Sequence, residues 1–331
     1  MEFPAELREK INELTEHENM NTLRASAARL SESYRAESKN GKRGAVSRTD
    51  VLAYAAVRMS ATFAAVSKAL ELSLACFDGE ITSILDVGAG TGAGAIAAAR
   101  LTGCEDITCI EHEKNMLELG RELCECAGIS AVWEQRDIAL GIPHSADLVI
   151  CSYCLNELSE SARKTVISEL VNAAKKLLVI AEPGTPFSFE DMKKTRQLLL
   201  DKGMKIAAPC PHENACPLPE GDWCHFTARA QRSRLHKLLK NADVPYEDEK
   251  FCFMAAAKSE GTPCASRVLR KPIIQSGYVT LALCGADGIK TETITKKSPL
   301  FKAARKSECG GEFPPRTALR ESKFARRSGA E

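Results

Sequence analysis

Between residues 81 and 201 the chain alternates short apolar runs with longer amphipathic runs, and this alternation restricts the fold more than any other feature of the sequence. Each apolar run is short enough to be a strand, and each amphipathic run has the apolar spacing of a helix. Repeated strand–helix units build a parallel sheet that is covered by helices on both faces. We therefore predict an α/β fold for residues 79–204. The predicted strands are Ser83–Val87, Asp106–Ile110, Ala131–Gln135, Asp147–Cys151 and Lys176–Ala181.

The segments on either side of this unit have different patterns. Residues 1–78 carry apolar side chains at helical spacing, with predicted helices over 5–38 and 50–74, and form an N-terminal helical region. Residues 205–295 form a Cys-rich extension that contains strands, and residues 296–331 form a basic tail.

Local patterns also predict elements within the Cys-rich extension. We expect a helix over 228–241, a strand over 250–257 and a hairpin over 277–295. The hairpin is predicted to turn at Gly285-Ala286-Asp287-Gly288, because glycines beside Asp favour a tight turn.

The composition is that of a globular protein. The 331 residues are 44% hydrophobic and 27% charged, which argues against a fibre, wholesale disorder or a membrane protein. No apolar run is long enough to span a bilayer, and the acidic N-terminus lacks a leader pattern, so we expect a cytoplasmic protein. In a reducing cytoplasm, the 14 cysteines are expected to be buried thiols or metal ligands, not disulfides.

A glycine-rich loop follows the first predicted strand. It reads Asp86-Val87-Gly88-Ala89-Gly90-Thr91-Gly92 and precedes a predicted helix. Glycines allow a tight turn and a close approach of a ligand to the backbone, and the helix start offers unpaired N–H groups. The alternative is a glycine turn without a ligand. We predict that Asp86, Gly88, Ala89, Gly90 and Gly92 contact a cofactor.

Two further acidic residues support this interpretation. Glu111 ends the second strand about 20 residues after the loop, where a carboxylate binds a ribose diol. Asp137 follows the third strand, at the position that lies near the adenine in S-adenosylmethionine-dependent methyltransferases. The loop resembles motif I of those enzymes more than the G-x-G-x-x-G loop of nicotinamide proteins. A nicotinamide-dependent iron–sulfur oxidoreductase is therefore the weaker alternative.

The segment Ser152–Leu158, after the fourth strand, is where methyltransferases of base amino groups carry an Asn/Asp-Pro-Pro-Tyr/Phe motif. This chain has no proline pair there, and Tyr153 and Asn156 are the nearest equivalents. If a methyl group is transferred, we expect these two residues to orient the acceptor in line with the methyl-sulfonium. Cys151 and Cys154 lie close by and are expected to pack in the core.

Three cysteines lie in a proline-rich polar loop with the spacing Cys-x5-Cys-x7-Cys. They are Cys210, Cys216 and Cys224. Three neighbouring thiolates would repel one another without a metal, and zinc sites favour closer pairs than these, so an iron–sulfur cluster suits the spacing better. From the residues alone the fourth ligand stays open. The candidates are Cys252, Cys264, Cys284, His212 and His225.

Several segments together resemble a known family, the ribosomal small-subunit methyltransferase-like family, which has mitochondrial members. The most specific segment is Cys-Pro-His…Cys-Pro-Leu…Trp-Cys-His-Phe within 210–226. The other matching segments are Arg29–Arg35, Ala53–Phe63, Ser152–Leu158 and Gly277–Thr295. The resemblance implies a Rossmann-like fold that binds S-adenosylmethionine.

The same resemblance implies a [4Fe–4S] cluster and a role on the small ribosomal subunit. By motif matching, Cys210, Cys216, Cys224 and Cys284 take the ligand positions. The protein would act on the rRNA of the small subunit, either by methylating it or by assisting subunit assembly without methyl transfer. The alternative is a non-catalytic RNA-binding assembly factor. We expect a monomer away from the ribosome and no membrane partner.

Local charge is compatible with an RNA partner. The whole chain is nearly neutral, with 45 Lys and Arg against 44 Asp and Glu, but residues 290–331 hold 11 against 5. Basic side chains can pair with phosphates, although a basic tail can also be merely solvated. The candidate contacts are Arg270, Lys271, Lys296, Lys297, Lys302, Arg305, Lys306, Arg326 and Arg327.

Overall fold

A computed structural model describes residues 1–35, 47–259 and 261–316 of the chain. The basic segment Lys39–Gly44 lies outside these residues, and so does the end of the tail with Arg326 and Arg327. Within the described ranges, no helix combines the length and the apolarity that a membrane span requires.

The core of the fold is a central sheet of eight strands, of which β1 to β5 are parallel. Their spatial order, β3-β2-β1-β4-β5, confirms the predicted Rossmann-like α/β fold. The order reverses between β1 and β4, and ligands of open α/β sheets bind beyond the carboxyl ends of the strands at such a point. The five strands are Ile84–Val87, Ile107–Glu111, Val132–Gln135, Ala146–Ser152 and Ala174–Pro183.

Three strands of the Cys-rich extension complete the same sheet. β8 (Tyr246–Ala257) runs antiparallel to β5, and its other edge pairs with β6 (Lys205–Ala208) and β7 (Phe226–Gln231). The sheet therefore continues past residue 204, although the division of the chain into domains stays a prediction.

The predicted helix over 228–241 is wrong in its first part. Residues up to Gln231 belong to β7, and only Arg234–Lys240 is helical (α9). Along β7, buried Phe226, Ala228 and Ala230 alternate with exposed side chains. This period of two is the pattern of a half-buried strand, and it outweighs the helix propensity of alanine.

Helices cover both faces of the central sheet. Of the described helices, the six that precede β3 lie on one face; the last three of them contact the strands, and the first three pack outside those. The predicted long N-terminal helices each divide into two, with one break at Arg58, whose backbone is not helical. These six are α1 (Ala5–Thr15), α2 (Met20–Arg35), α3 (Arg48–Val57), α4 (Met59–Leu74), α5 (Ala93–Thr102) and α6 (Lys114–Cys126). The opposite face is covered by α7 (Glu160–Ala173) and α8 (Pro186–Asp201).

A second, smaller sheet follows in the C-terminal part of the chain. The predicted hairpin is confirmed, because β11 (Tyr278–Gly285) and β12 (Gly288–Thr295) pair up to Gly285 and Gly288 at the turn. β9 (Ser266–Val268) and β10 (Ile273–Ile274) pair with the other edge of β11. A short helix, α10 (Phe301–Lys306), packs on this sheet, which has its own small core.

Candidate functional site

The glycine-rich loop connects β1 to α5 and has three glycines with positive φ angles, namely Gly88 (+71°), Gly90 (+55°) and Gly92 (+81°). A Cβ on Gly88 would lie 2.7 Å from the Cys154 thiol, and one on Gly92 would lie 2.8 Å from the Cys124 thiol. A Cβ on Gly90 would have no described neighbour within 4 Å. The outer glycines thus allow close packing, whereas Gly90 leaves open space in which a ligand could approach the backbone.

Two acidic residues hold this loop. Asp86 is fully buried, and its Oδ2 accepts a hydrogen bond from the backbone N–H of Ala95 at 2.7 Å, while its Oδ1 has no partner. Burial raises the pKa of Asp86 to about 7. Glu111, at the end of β2, accepts hydrogen bonds from the N–H groups of Gly90 (2.7 Å) and Glu113 (2.8 Å). Glu111 therefore fixes the loop backbone, and burial raises its pKa.

Asp137 lies beyond the end of β3 and begins a 3-10 helix, Ile138–Leu140. Its Oδ1 accepts a hydrogen bond from the N–H of Ala139 at 2.9 Å, and its Oδ2 lies 4.0 Å from Nδ1 of His112. Asp86, Glu111 and Asp137 thus sit at or beyond the carboxyl ends of neighbouring strands, at the edge of the sheet where the prediction requires them.

Sequence reasoning missed Trp133, which packs beside the glycine loop. A Cβ on Gly92 would lie 3.4 Å from its ring, and a Cβ on Gly120 of α6 would lie 2.3 Å from the ring and 2.9 Å from the Gly90 carbonyl oxygen. The indole therefore fills the space between α6 and the loop. A glycine inside an amphipathic helix was the signal that a bulky neighbour approaches there.

Tyr153 is held in an uncommon conformation at the end of β4. Its φ is +54°, which is rare for a residue other than glycine, and its N–H donates to the Ala181 carbonyl at 2.8 Å. Its hydroxyl donates to Oε1 of Glu249 at 3.1 Å. Glu249 is paired in turn with both terminal nitrogens of Arg58, at 2.9 and 3.2 Å. The hydroxyl that was predicted to orient an acceptor is thus bound within the protein.

Arg58 and Glu249 were not predicted as site residues. Each is far from Tyr153 in sequence, and the three meet only because the break between α3 and α4, the end of β4 and the middle of β8 converge. Strained residues of this kind cluster at functional sites, so the network belongs to the candidate site.

Asn156, the second predicted catalytic residue, lines a small cavity of about 10 Å³. Its Oδ1 is buried and has no partner, and Oε2 of Glu182, which lines the same cavity, has none either. The other oxygen of Glu182 accepts hydrogen bonds from the N–H groups of Cys154 and Leu155. Burial raises the pKa of Glu182 to about 8, so near neutral pH it carries a proton that it can donate within this cavity.

The four predicted cluster ligands line one apolar cavity of about 50 Å³. Cys210, Cys216 and Cys224 come from the loops between β6 and β7, and Cys284 comes from the end of β11. Cys284 Sγ lies 3.6 Å from Nε2 of His212, which also lines the cavity. The structure thus brings together side chains that are up to 74 positions apart in the sequence.

The cavity brings several thiols together in an apolar environment. Burial is the main cause that raises the pKa of Cys224, and the nearby thiols of Cys210, Cys216, Cys252 and Cys284 raise it further. In the described part of the chain, no three His, Cys, Asp or Glu side chains are grouped closely enough to hold a metal ion. The cysteines surround a space instead of converging on a point.

The remaining candidates for a fourth ligand lie in different places. Cys252 lines the cavity but is buried in β8, where its thiol donates to the Pro183 carbonyl at 3.5 Å. Cys264 does not line the cavity, although it is buried. His225 stacks on Trp223, with ring centroids 5.2 Å apart, and also lies outside the cavity lining.

Comparison with known proteins gives relatives of low identity over most of the chain. The human ribosome assembly protein METTL17, mitochondrial, is 26% identical over 302 residues, which cover 81% of this chain and 65% of that protein. The Rsm22-cox11 tandem protein 2, mitochondrial, of Schizosaccharomyces pombe is 24% identical over 288 residues, covering 70% of this chain and 38% of that protein. The chain therefore spans less than two thirds of the length of these relatives.

Among solved structures, the magnesium protoporphyrin IX methyltransferase of Synechocystis PCC 6803, in the crystal structure with bound SAM, is similar at a TM-score of 0.41 and 15% identity. The match covers 69% of this chain and 91% of that chain. A likeness this low says nothing about the ligand of the present chain.

A family profile gives the decisive match. The profile described as mitochondrial small ribosomal subunit Rsm22 matches residues 48–314, which include the glycine loop, the Tyr153 segment and all four cysteines of the cavity. The chain therefore belongs to the Rsm22 family.

Proposed function

We propose that this protein binds S-adenosylmethionine, carries a [4Fe–4S] cluster and acts in the assembly of the small ribosomal subunit. The single observation that carries the proposal is the convergence of Cys210, Cys216, Cys224 and Cys284 on one cavity, in a chain of the Rsm22 family. The human relative is a ribosome assembly protein by name, which supports the same role here. The expected cytoplasmic location and monomeric state stay predictions.

The glycine loop suits S-adenosylmethionine in shape and in charge. Open space beside Gly90 would admit the cofactor to the loop backbone. Glu111 accepts hydrogen bonds from the backbone N–H groups of Gly90 and Glu113, and a carboxylate, with about four acceptor sites, can accept a ribose hydroxyl as well. Asp137 has an oxygen left for the adenine side. The G-x-x-G spacing of nicotinamide proteins is absent, which keeps the oxidoreductase the weaker alternative.

The cysteine cavity suits a cluster better than a single ion. A [4Fe–4S] cluster is held by four thiolates that stand apart around it, and the four cysteines line a cavity in that manner. When bound, the cluster would tie the loop between β6 and β7 to the end of β11, and thus join the two sheets. A structural role of this kind needs no electron transfer.

The structure favours Cys284 over Cys264 as the fourth ligand, because Cys284 lines the cavity together with the other three cysteines and Cys264 does not. Cys284→Ser should lower the iron and sulfide bound per chain after anaerobic purification. Cys264→Ser, a substitution of another buried thiol, should leave both unchanged. The opposite pattern would reassign the ligand.

Two roles remain for the S-adenosylmethionine site, and the Tyr153 network favours the non-catalytic one. The Tyr153 hydroxyl is bound to Glu249, and the Oδ1 atom of Asn156 is buried, so neither is free to orient an acceptor in this conformation. A cofactor-stabilised assembly factor is therefore the first candidate, and an rRNA methyltransferase is the second.

One experiment separates the two roles. Immature small subunits are incubated with the purified protein and S-adenosylmethionine that carries a labelled methyl group. Subunit binding without label in the rRNA supports the assembly factor, whereas stoichiometric label in the rRNA supports the methyltransferase. Neither binding nor label would reject the small subunit as the partner.

A further inference from the structure

Two arginines are buried in the wall of the cysteine cavity. Arg196 of α8 is 5% exposed and Arg267 of β9 is 3% exposed, and both line the cavity. A buried guanidinium cannot lose its proton, and a buried charge without a partner of opposite charge strongly destabilises a fold. Each of these arginines therefore needs a negative charge close by.

The structure gives both arginines neutral hydrogen-bond acceptors only. Arg196 donates to the His212 carbonyl at 2.8 Å, and its Nε is buried without a partner. Arg267 donates to the carbonyls of Pro209 and Gly310, each at 3.0 Å, and to the Cys76 thiol at 3.8 Å. Across the described residues, neither guanidinium has a carboxylate within ion-pair distance.

A third buried arginine shows the usual arrangement. Arg163 of α7 is 7% exposed and lies on the same face of the sheet, outside the cysteine cavity. Its guanidinium is paired with Asp191. Among the buried arginines of the described residues, the two in the cavity thus differ from Arg163 in having no carboxylate partner.

We propose that Arg196 and Arg267 are the counter-charges of the iron–sulfur cluster. The inference rests on the proposed function, because the anion they would pair with is the cluster and its thiolates. Four thiolates around a [4Fe–4S]²⁺ core carry two net negative charges, which two guanidinium groups balance. Without such partners, the buried thiolates would repel one another and favour the metal-free, protonated state.

This pairing has two measurable consequences. Removing one guanidinium should weaken the stabilisation that the cluster gives to the fold, since the cluster then lies in a less positive environment. It should also make the reduction potential of the cluster more negative, because reduction adds a negative charge that the guanidinium stabilises.

Arg196 is the better residue to test, because it has a single backbone acceptor, whereas Arg267 holds two carbonyls in place. Arg196→Gln and Arg196→Met remove the charge, the second without burying an amide, and Arg196→Lys keeps it. The melting temperature is measured for each variant with the cluster and after iron removal by a chelator. The charge-removing variants should lower the melting temperature of the loaded form more than that of the iron-free form, and Arg196→Lys should restore most of the difference.

The reduction potential gives a second readout, by anaerobic redox titration followed by electron paramagnetic resonance. It should shift to more negative values in Arg196→Gln and Arg196→Met and change little in Arg196→Lys. Arg163→Gln is the matched control: it removes a buried arginine that has its own carboxylate, and should destabilise loaded and iron-free protein equally without a shift in potential.

The outcomes separate the inference from the proposed function. Wild-type protein without iron and sulfide rejects the cluster itself. Suppose that the wild-type protein holds the cluster, but the charge-removing variants lose the same melting temperature in the loaded and iron-free forms and keep the wild-type reduction potential. That result rejects the role of Arg196 and leaves the proposed function standing.

Discussion

At the scale of single residues, the side chains of the candidate site are fixed by buried polar contacts. Tyr153 keeps a positive φ because strand pairing holds its backbone and Glu249 holds its hydroxyl. Such strain costs about 1–3 kcal/mol and persists only where the surroundings impose it. The ion pair between Arg58 and Glu249 is therefore part of what keeps this segment in place.

Replacing Glu249 by Gln tests that role. The variant loses the charge that faces Arg58, and we expect the free energy of unfolding to fall by about 1.5–3 kcal/mol, since hydrogen bonds to charged groups contribute in this range. The control is Arg229→Gln, which breaks an exposed pair with Asp248 and should lower the free energy of unfolding much less in the same urea titration. Equal losses in the two variants would contradict the account.

Glu182 gives a pH-dependent prediction. Its pKa in the folded protein is raised to about 8 from an ordinary value of 4.5, so the unfolded chain releases this proton at lower pH than the folded one. Glu182 therefore costs stability as pH rises from about 4.5 to about 8, and has no such effect below that range. Glu182→Gln should be more stable than wild type by at least about 1 kcal/mol at pH 8.

The measurement for Glu182 is the difference in unfolding free energy between variant and wild type at pH 5 and pH 8. The difference must grow with pH. Using a difference removes the opposite contribution of His236, whose lowered pKa of about 4 makes folding less favourable in acid. A difference that is constant over this range would show that Glu182 ionises normally.

At the scale of elements, the contact between α6, β3 and the glycine loop is the tightest near the proposed cofactor site. Gly120→Ala would place a Cβ against the Trp133 ring and the Gly90 carbonyl. We expect a loss of about 1–3 kcal/mol in stability, as for other overpacked sites, and weaker S-adenosylmethionine binding by calorimetry because the loop moves with the indole. Gly277→Ala, at a position with open space, should change neither quantity.

The sequence predicts helices and strands well in the part of the chain where strand patterns and helix patterns alternate clearly. From β1 to α8 the strand and helix patterns are strong and local, and the ends of the predicted strands lie within two residues of the observed ends. The failures have physical reasons. Strand β7 was missed because Ala228 and Ala230 favour a helix locally but are buried by pairing with β8, a contact between distant segments.

The candidate site was only partly predictable. The loop glycines, Glu111 and Asp137 follow from local spacing, whereas the partners of Tyr153 depend on contacts between elements far apart in the chain. The fourth cysteine was left open by spacing alone and was suggested only by the family resemblance. The cavity gives an independent reason to choose Cys284.

At the scale of the whole molecule, exposed basic side chains follow the small C-terminal sheet and lie on the helix that packs against it. Lys296 and Lys297 follow β12, and Lys302, Arg305 and Lys306 lie on α10, all exposed. This distribution supports the proposed contact with rRNA phosphates, because the excess of positive charge lies in residues 290–331 of a chain that is nearly neutral as a whole.

Charge reversal tests this surface. The double variant Lys302→Glu and Lys306→Glu should weaken binding to small-subunit RNA and reduce the salt dependence of binding by about one unit of log–log slope for each lost phosphate contact. The control is Lys164→Glu with Lys194→Glu, which makes the same charge change at exposed positions on α7 and α8. Equal weakening by both pairs would indicate an effect of net charge and not of this surface.

The presence of the iron–sulfur cluster is the central claim, and metal and sulfide analysis tests it most directly. The chain is purified without oxygen, and its iron, acid-labile sulfide and zinc are quantified against a variant in which Cys210, Cys216 and Cys224 are all serine. We predict about four iron and four sulfide per wild-type chain, as in a [4Fe–4S] cluster, and neither in the variant. Stoichiometric zinc, or wild-type protein with no iron and no sulfide, would contradict the account.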